Sequence, residues 1–465
     1  MPSKGQRTFI IGCGCTAFIK PRGQRTTEEA SMMGLEAATK ALLDAGITYD
    51  AVQAAYVGYC YGDSTSGQRA LYQLGMTGIP ITNVNNNCST GSTALYNANM
   101  LVKAGVYDCT LALGFERMSR GSLGTNFPDR ESPTKPFGTA SFELESSLGA
   151  GENHGPGAPR MFANGGQEYF DKYGANIGHL AQIASKNHKH SVNNPYSQFR
   201  DGWSVEQVLA APKITKQLTK FMCSPTSDGG ACCIIASEDF VHKHRLENQA
   251  IEIVSTALWT DDPSTFENRS AMDVIGYTMA KNCADDVFAQ AGFKQGEGRD
   301  QVGVVELHDC FAANELITYD ALGLCEPGTA HTMVERGDNT YGGKYVINPS
   351  GGLEAKGHPL GATGLGMHFY LTMQLRQWAG PMQAPGLLDG PDKRGKFGLV
   401  HNVGLGGAIV CSLLRRPEFF KEGGEDGRMR LGYNHAHECR SITRADVDKV
   451  KSKKSSPYIM QLARL

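Results

Sequence analysis

The sequence predicts an α/β protein of two or three domains. Short apolar runs alternate with longer segments of helical hydrophobic spacing, the order of elements found in layered α/β folds. The chain has 465 residues, more than one ordinary domain holds. Its 56 glycines cluster in short loops, where backbone can approach a ligand closely.

Apolar runs and helical spacing place the elements in order along the chain. The strands are predicted at residues 9–12, 55–59, 110–113, 232–236, 251–258, 302–307, 398–401 and 408–414. The helices are predicted at residues 28–45, 93–104, 271–291, 312–322 and 365–378. Residues 119–225 are instead rich in Gly, Pro, Asn and His, which predicts an irregular insertion that covers a site.

Composition excludes several classes of protein. A net charge of -2 gives no reason to expect nucleic acid as a partner. We find no apolar run long enough for a membrane span and no secretory signal peptide, so a soluble protein is expected. The thirteen cysteines include no C-x-x-C pair, which predicts free thiols in a reducing compartment.

Cys88 is the most informative single residue. It lies just before the predicted helix at residues 93–104, and a helix N-terminus favours a thiolate, which is a nucleophile. The alternative is a small buried cysteine without chemistry. Two distant segments carry proton-transfer groups, His308-Asp309-Cys310-Phe311 and Gly357-His358-Pro359. A reactive cysteine with a distant histidine and a second cysteine indicates acyl transfer through a thioester.

The two halves of the chain contain a similar pattern. Cys88-Ser-Thr-Gly91 begins one helix, and His358-Pro-Leu-Gly-Ala-Thr-Gly364 begins another in the second half. Two similar halves packed face to face would bring both helix N-termini to one centre.

Four segments taken together, residues 85–92, 308–311, 348–366 and 401–407, resemble the signature segments of the thiolase superfamily, and most closely its sterol-carrier-protein type. Residues 62–69, 76–80, 187–196 and 336–344 also resemble that family, and the likeness covers about residues 7–416. It implies two βαβαβαββ halves in a five-layered α/β/α/β/α body with an inserted loop domain. The implied domains are 1–245 with the loop domain at about 119–225, 246–416, and a tail at 417–465 that does not resemble a lipid-carrier domain.

The resemblance implies roles for the motif residues. Cys88 would attack the ketone carbon of a 3-oxoacyl-CoA and hold the acyl group as a thioester. His358 would activate Cys88 and help to hold an oxyanion; the alternative is a loop histidine that caps a turn. CoA would be a substrate, with no cofactor, and the protein a homodimer or larger oligomer.

Two motifs depart from the commonest thiolase pattern. His308-Asp309-Cys310-Phe311 stands where most thiolases have Asn-Glu-x-Phe, and His401-Asn402-Val403-Gly404 where most have Cys-x-Gly. Cys310 is therefore assigned the proton transfer, with a packing residue as the alternative, and His308 the hold on the thioester oxygen. Asp309 is expected to orient its neighbours. Backbone N–H groups of Cys88 and of Val403 or Gly404 are expected to form a second oxyanion site, near which Asn402 would lie, and His401 is either catalytic or a packed support.

The expected activity is thiolytic cleavage of 3-oxoacyl-CoA to acetyl- or propionyl-CoA and a shortened acyl-CoA, in fatty-acid or sterol side-chain β-oxidation. The alternatives are a Claisen-condensing synthase of the same fold and a non-catalytic lipid- or acyl-CoA-binding protein. No metal site is expected, because the histidine clusters lack the paired spacing of structural zinc sites.

The last three residues, Ala463-Arg464-Leu465, resemble a peroxisomal import signal. They predict binding to the peroxisomal import receptor, with the mitochondrion as the alternative location. The Lys- and Ser-rich stretch before them predicts a mobile tail.

Overall fold

The computed structural model of the chain describes residues 5–21, 30–118, 127–390 and 392–457. Within these residues the strands are β1 (Thr8–Cys15), β2 (Ala54–Gly58), β3 (Ile81–Val84), β4 (Cys109–Glu116), β5 (Gly229–Ser237), β6 (Ile251–Trp259), β7 (Val302–Leu307), β8 (Val346–Ile347), β9 (Phe397–Gly404) and β10 (Ala408–Arg415). The helices of the first half are α1 (Ala30–Ala45), α2 (Ser66–Leu71), α3 (Thr90–Lys103), α4 (Lys135–Glu143), α5 (Gly157–Tyr173), α6 (Ile177–Ser191), α7 (Val205–Ala210) and α8 (Glu238–Lys243). Those that follow are α9 (Ser264–Glu267), α10 (Ala271–Val274), α11 (Tyr277–Gln290), α12 (Ala312–Ala321), α13 (Ala330–Glu335), α14 (Gly352–Lys356), α15 (Leu360–Arg376), α16 (Gly427–Leu431) and α17 (Arg444–Val450).

The strand order repeats as a mirror image, which confirms the two similar halves. The order is β3-β2-β4-β5-β1-β6-β10-β9-β7-β8. In the first half β2 is parallel to β3 and β4, while β5 is antiparallel to β4 and β1. In the second half β7 is parallel to β8 and β9, while β10 is antiparallel to β9 and β6. The halves join where Phe9 pairs with Glu252 and Ile10 with Ile251.

Two central helices separate the halves. α3 packs on β2 and β4 of its own half, and α15 packs both on β4 and β5 and on β7 and β9. Every residue of α15 is buried, as expected of a helix enclosed on all sides. α1 covers β1 and β5 on the outer side of the first half, and α11 covers β6 and β10 on the outer side of the second. The result is the five-layered arrangement that the resemblance implies.

The predicted strands all occur, and the differences concern short or broken elements. β3 and β8 were not predicted because they are only four and two residues long. The helix predicted at 271–291 is divided into α10 and α11 at Gly276, whose φ of 99° is incompatible with a continuous helix. α3 and α15 begin three and five residues before the predicted starts, at Thr90 and Leu360. The loops that carry Cys88 and His358 therefore lead directly into a helix.

The expectation of an irregular insertion at 119–225 is wrong for its described part, which contains α4 to α7. α5 and α6 are 17 and 15 residues long. Asn176 caps α6, accepting a hydrogen bond from the Gly178 N–H, and the helix then buries polar side chains such as Asn187 and His188. These buried polar residues gave the segment the composition of a loop.

The expectation of a mobile C-terminal tail is wrong up to residue 457. α16 and α17 pack on α1, and Val447 and Val450 are buried. The Ser452 hydroxyl donates to Asp50 Oδ1 at 2.5 Å, and the Met76 N–H donates to the Ser456 carbonyl at 3.0 Å. The tripeptide Ala463-Arg464-Leu465 lies outside the described residues. Within the described residues, no helix is both long and apolar enough to cross a membrane.

Candidate active site

A cavity of about 980 Å³ lies where the two central helices meet. Its floor is formed by the loops before α3 and α15, the loop after β7, and the end of β9. α4, α5 and the segment before β5 supply an apolar wall that includes Phe142, Phe162 and Phe221. The volume and apolar wall suit a drug-sized ligand with an acyl chain.

Backbone contact between the two helix starts brings the loops together. A Cβ on Gly91 would lie 2.8 Å from the carbonyl oxygen of Gly361, so a side chain there would push α3 and α15 apart. Asn87 adopts a left-handed conformation with φ of 48° and donates through Nδ2 to the Leu405 carbonyl at 2.7 Å. This turn places Cys88 two residues before α3, where its side chain lines the cavity.

Three residues from three distant segments converge in this cavity. The sulfur of Cys88 and one ring nitrogen of each of His308 and His358 lie within 4.8 Å of one another. The two rings are 5.0 Å apart, edge to face. The sequence named all three residues as candidates, and the fold brings them to one point.

The surroundings of His358 leave its Nε2 without a proton. Its Nδ1 lies 2.7 Å from Thr363 Oγ1, and the Thr363 hydroxyl donates its single hydrogen to the Pro359 carbonyl at 3.0 Å. The hydroxyl oxygen can therefore only accept from the ring, which puts the proton on Nδ1. Nε2 is buried, and it has no hydrogen-bond partner among the described residues. His358 thus presents a bare, basic nitrogen to the cavity.

The surroundings of His308 impose the opposite proton position. Asn402 Nδ2 donates to the Cys88 carbonyl at 3.0 Å and lies 3.0 Å from His308 Nδ1. The Cys88 carbonyl can only accept, so the amide nitrogen must face this way and Nδ1 of His308 must accept. The proton of His308 is then on Nε2, where it is available as a donor to an oxygen.

All three groups are uncharged at rest. Burial lowers the pKa of His358 to about 3, with Lys356 adding to the effect. Burial lowers the pKa of His308 well below its ordinary value, and His358 and His401 lower it further. Burial also raises the pKa of Cys88 to about 12, although the N–H groups of Cys88 and Leu405 act in the opposite direction.

The expectation of a resting Cys88 thiolate is therefore wrong. Desolvation of the charged sulfur outweighs the helix N-terminus and the two N–H groups. Cys88 is 9% exposed and protonated, so its proton must be removed during the attack on substrate. The bare Nε2 of His358 is the nearest base among the three groups.

The three residues Cys88, His308 and His358 are also close enough together to hold a metal ion. They are the one such group of His, Cys and acidic side chains found among the described residues. Its proton positions favour acid–base chemistry over metal binding. A metal would need a bare Nε2 on His308, whereas the Asn402 amide keeps a proton there.

Cys310 lines the same cavity and is held by backbone contacts. Its carbonyl accepts from the Ser224 N–H at 2.8 Å, and Phe311 forms an isolated bridge with Cys223. Burial raises the pKa of Cys310 well above its ordinary value, and Cys88, Asp309 and Glu354 raise it further. Cys310 is therefore a thiol at rest, with a proton that it can donate.

Asp309 lies behind the cavity rather than on its wall. It accepts from the Leu353 N–H at 2.7 Å, the Glu354 N–H at 3.3 Å and Asn187 Nδ2 at 3.0 Å. Since Leu353 and Glu354 belong to α14, which leads into Gly357-His358, Asp309 ties the loop after β7 to the loop before α15.

The structure separates the residues of the fourth motif. His401 borders a small gap of about 10 Å³ beside Asn314 instead of the main cavity, and its Nδ1 accepts from the His308 N–H at 3.4 Å. Val403 and Gly404 line the main cavity, but the N–H that lowers the pKa of Cys88 belongs to Leu405. Sequence reasoning placed this N–H at Val403 or Gly404, one or two residues too early, because the path of the loop after β9 decides which backbone N–H faces the sulfur.

Sequence reasoning also missed Thr363 and Glu116. Thr363 fixes the proton of His358, as described above. Glu116, at the end of β4, accepts from the N–H groups of Cys60, Tyr61 and Gly361 at 2.9–3.0 Å. It therefore links the first half directly to the start of α15. Glu116 lies outside the motifs, and the role of Thr363, although it lies within the segment 348–366, depends on hydrogen bonds that only the folded helix makes.

Fold and site together are those of the thiolase family, whose members form a superfamily of acyltransferases, and comparison with known families agrees. The thiolase N-terminal domain model matches residues 8–204, and the thiolase C-terminal domain-like model matches residues 263–410. The chain belongs to the thiolase family, and within it to the sterol-carrier-protein type, as its relatives indicate. It is 50% identical to "Sterol carrier protein 2" of Homo sapiens over 415 residues, which cover 89% of this chain and 73% of that protein. It is 43% identical to "Non-specific lipid-transfer protein-like 2" of Caenorhabditis elegans, covering 88% and 96% of the two chains.

Solved structures agree on the fold. The chain is similar to the "Ltp2-ChsH2(DUF35) aldolase", with a TM-score of 0.69 and 19% identity, covering 88% of this chain and 98% of that one. It is also similar to human mitochondrial 3-ketoacyl-CoA thiolase, with a TM-score of 0.63, 18% identity and the same coverage.

Proposed function

We propose that this protein is a 3-oxoacyl-CoA thiolase that cleaves its substrate with CoA to acetyl- or propionyl-CoA and a shortened acyl-CoA. The observation that carries the proposal is the convergence of Cys88, His308 and His358 within 4.8 Å, with opposite proton positions on the two histidines. One histidine can take a proton while the other donates a hydrogen bond. The match of residues 8–204 and 263–410 to the two thiolase domain models supports the same assignment.

In the first half-reaction, Nε2 of His358 takes the proton of Cys88 as the sulfur attacks the ketone carbon. Because the resting pKa values of about 12 and about 3 oppose this transfer, it accompanies the attack rather than preceding it. The oxyanion that forms can accept from Nε2–H of His308 or from the N–H groups of Cys88 and Leu405. The carbon–carbon bond then breaks, and the thiol of Cys310 protonates the enolate carbon.

In the second half-reaction, CoA attacks the Cys88 thioester. The CoA thiol gives up its proton, which restores the thiol of Cys310, the acyl group moves to the CoA sulfur, and Cys88 recovers a proton from the His358 imidazolium. Each group ends in its starting state. The same groups can run the reverse, Claisen condensation, so that direction would follow from metabolite supply.

The decisive test is transfer of the acyl group. Incubation with a 3-oxoacyl-CoA followed by an acid quench should add one acyl mass to the peptide that contains Cys88. Cys88→Ala should lose both the adduct and nearly all cleavage. An adduct on Cys310 would reverse the assignment, and a protein that binds acyl-CoA without forming any adduct would support the non-catalytic alternative.

We also propose a role in peroxisomal fatty-acid or sterol side-chain β-oxidation, an assembly of at least two chains, and domains divided near residues 245 and 416. Deletion of Ala463-Arg464-Leu465 should leave activity intact and make a fluorescent fusion cytosolic. Arrival of the truncated fusion in peroxisomes, or of the full chain in mitochondria, would contradict the targeting proposal. Sedimentation equilibrium would test the assembly, since a monomer at micromolar concentration would contradict it.

A further inference from the structure

Behind the active cavity lies a cluster of buried carboxyl groups. Asp309, Glu315 and Glu354 are each at most 1% exposed, and all three contact the side-chain amide of Asn187. One ammonium group, Lys186, bonds the cluster at Glu315, whereas Lys356 bonds Glu306 and acts on Asp309 only through space. Three carboxyl groups with a single bonded cation cannot all be ionised without a large desolvation cost, so the cluster retains at least one proton.

Hydrogen bonds distribute the negative charge unequally over the three groups. Glu315 bonds Lys186, Asn187 and Asn348, and Asp309 accepts from two backbone N–H groups and Asn187.

Glu354 is the least supported of the three carboxyl groups. It accepts from Asn187 alone, at 3.2 Å, through Oε2, and its buried Oε1 has no hydrogen-bond partner among the described residues. Glu354 is therefore the member on which a proton costs least.

Glu354 is also the member of this cluster that reaches the substrate cavity. It lines the cavity together with Cys310 and Cys223, whereas Asp309 and Glu315 do not. Its place in α14 fixes it between Asp309 and the loop that bears His358. A neutral carboxyl group that lines the same cavity as a thiol that must gain and lose a proton is placed to exchange protons with it.

We propose that Glu354 is a proton relay for Cys310, a role that rests on the proposed thiolase function. After Cys310 has protonated the enolate carbon, its thiolate takes the proton of the Glu354 carboxyl group. The Glu354 carboxylate then takes the proton that the incoming CoA thiol loses as it attacks the Cys88 thioester. No proton is lost or gained over the cycle, and Cys310 is a thiolate only briefly.

The charges around the pair agree with this assignment. Burial raises the pKa of Glu354 well above its ordinary value, and Asp309 and Glu315 raise it further. An ionised Glu354 would in turn hold the pKa of Cys310 high, in addition to the effect of burial. A proton on Glu354 is thus the condition under which Cys310 can become a thiolate.

The experiment follows exchange of the α-protons of acetyl-CoA into heavy water, a reaction that uses Cys310 without acyl transfer. Glu354→Gln keeps the size and the neutral state but has no acidic proton, so exchange should slow by about tenfold or more. Loading of Cys88 from an acyl thioester of a weakly basic aromatic thiol, whose thiolate leaves without needing a proton, should stay within about twofold, since that step uses His358 and not Glu354. Glu354→Asp, which retains a carboxyl group, should recover part of the exchange.

Glu315→Gln is the matched control, because Glu315 belongs to the same cluster but does not line the cavity. Equal loss of exchange in both variants would assign the effect to the cluster's packing and overturn the relay. Wild-type exchange in Glu354→Gln would also overturn it. Should Glu354→Gln fail to fold, Glu354→Leu makes the same test, since apolar side chains of similar size often replace buried charges well. Failure of the wild type to load Cys88 would instead contradict the proposed function itself.

Discussion

The loops before α3 and α15 occupy equivalent places in the two halves, yet they carry different chemistry. α3 lies between β3 and β4, and α15 lies between β8 and β9, which are their counterparts in the mirrored strand order. The first loop presents the sulfur of Cys88, and the second presents the bare nitrogen of His358. The repeated fold thus brings two helix starts into contact. Because one loop carries a cysteine and the other a histidine, the pair supplies a nucleophile and its base.

The loops after β2 and β7 form a second equivalent pair. The loop after β7 contains His308 and Cys310, which have proton-transfer roles in the proposed mechanism. The loop after β2 contains Cys60, whose thiol donates to the Asn87 carbonyl at 3.3 Å and thereby supports the turn before Cys88. The first half therefore supplies and positions the sulfur, and the second half supplies the proton-transfer groups. This division can be tested one half at a time.

The largest effect is expected at His358. His358→Asn should slow the loading of Cys88 from an acyl-CoA by about 10³-fold, because His358 is the bare base of the three groups that converge at the sulfur in the described part of the chain. Rapid-quench mass measurement of the acylated peptide gives this rate directly. Loading at the wild-type rate would mean that Cys88 ionises without His358. It would contradict the proposal that the loop before α15 supplies the base for the sulfur in the loop before α3.

The next largest effect is expected at Cys310, in the loop after β7, and it should exceed the effect at Cys60, in the equivalent loop after β2. Cys310→Ala should reduce cleavage of a 3-oxoacyl-CoA, and exchange of acetyl-CoA α-protons, by about 10²-fold, while Cys88 still loads from a simple acyl-CoA. Cys60→Ala is the matched comparison. It should affect loading and exchange to the same smaller extent, because Cys60 acts through the turn before Cys88. Wild-type exchange in Cys310→Ala would make Cys310 a packing residue and leave His358 as the base.

The sequence could predict properties that depend on residues close together in the chain, but not those that depend on contacts made by folding. Cys88, His308, Cys310 and His358 lie in motifs whose residue types indicate their chemistry, and the resemblance that these motifs carry implied the fold of two similar halves. The proton positions on the histidines could not be predicted, because Asn402 and Thr363 fix them through contacts that only the fold creates.

The charge of Cys88 illustrates a second kind of limit. A helix N-terminus is visible in sequence, and it favours a thiolate. The burial that opposes it depends on the cavity wall contributed by distant elements, and burial is the larger effect. The helices of the insertion were missed for a related reason, since their buried polar side chains look like loop residues until their partners are known.

A smaller effect is expected from Thr363, which orients the proton of His358. Thr363→Val removes the acceptor for Nδ1–H, and the loss of one hydrogen bond, about 1 kcal/mol, should slow loading by about fivefold to tenfold. Thr363→Ser keeps the hydroxyl and should load at nearly the wild-type rate. If the two variants load equally fast, the tautomer of His358 is set by something other than this hydroxyl group.

The smallest effect on activity is expected at Glu116, which joins the two halves. Its substitution should instead change how the free energy of unfolding depends on pH. Burial raises the pKa of Glu116 from 4.5 to about 7, so the folded protein binds this proton more tightly than the unfolded chain does. Its contribution to stability is therefore fully present below pH 4.5 and is lost as the pH rises to about 7. Glu116→Gln has no such proton, and the difference in unfolding free energy between wild type and variant should fall, by roughly 3 kcal/mol, across this window. Thermal unfolding of both proteins at pH 5 and pH 7.5 would measure the change. A difference that stays constant with pH would mean that Glu116 is ionised throughout, stabilised by its three N–H donors from Cys60, Tyr61 and Gly361.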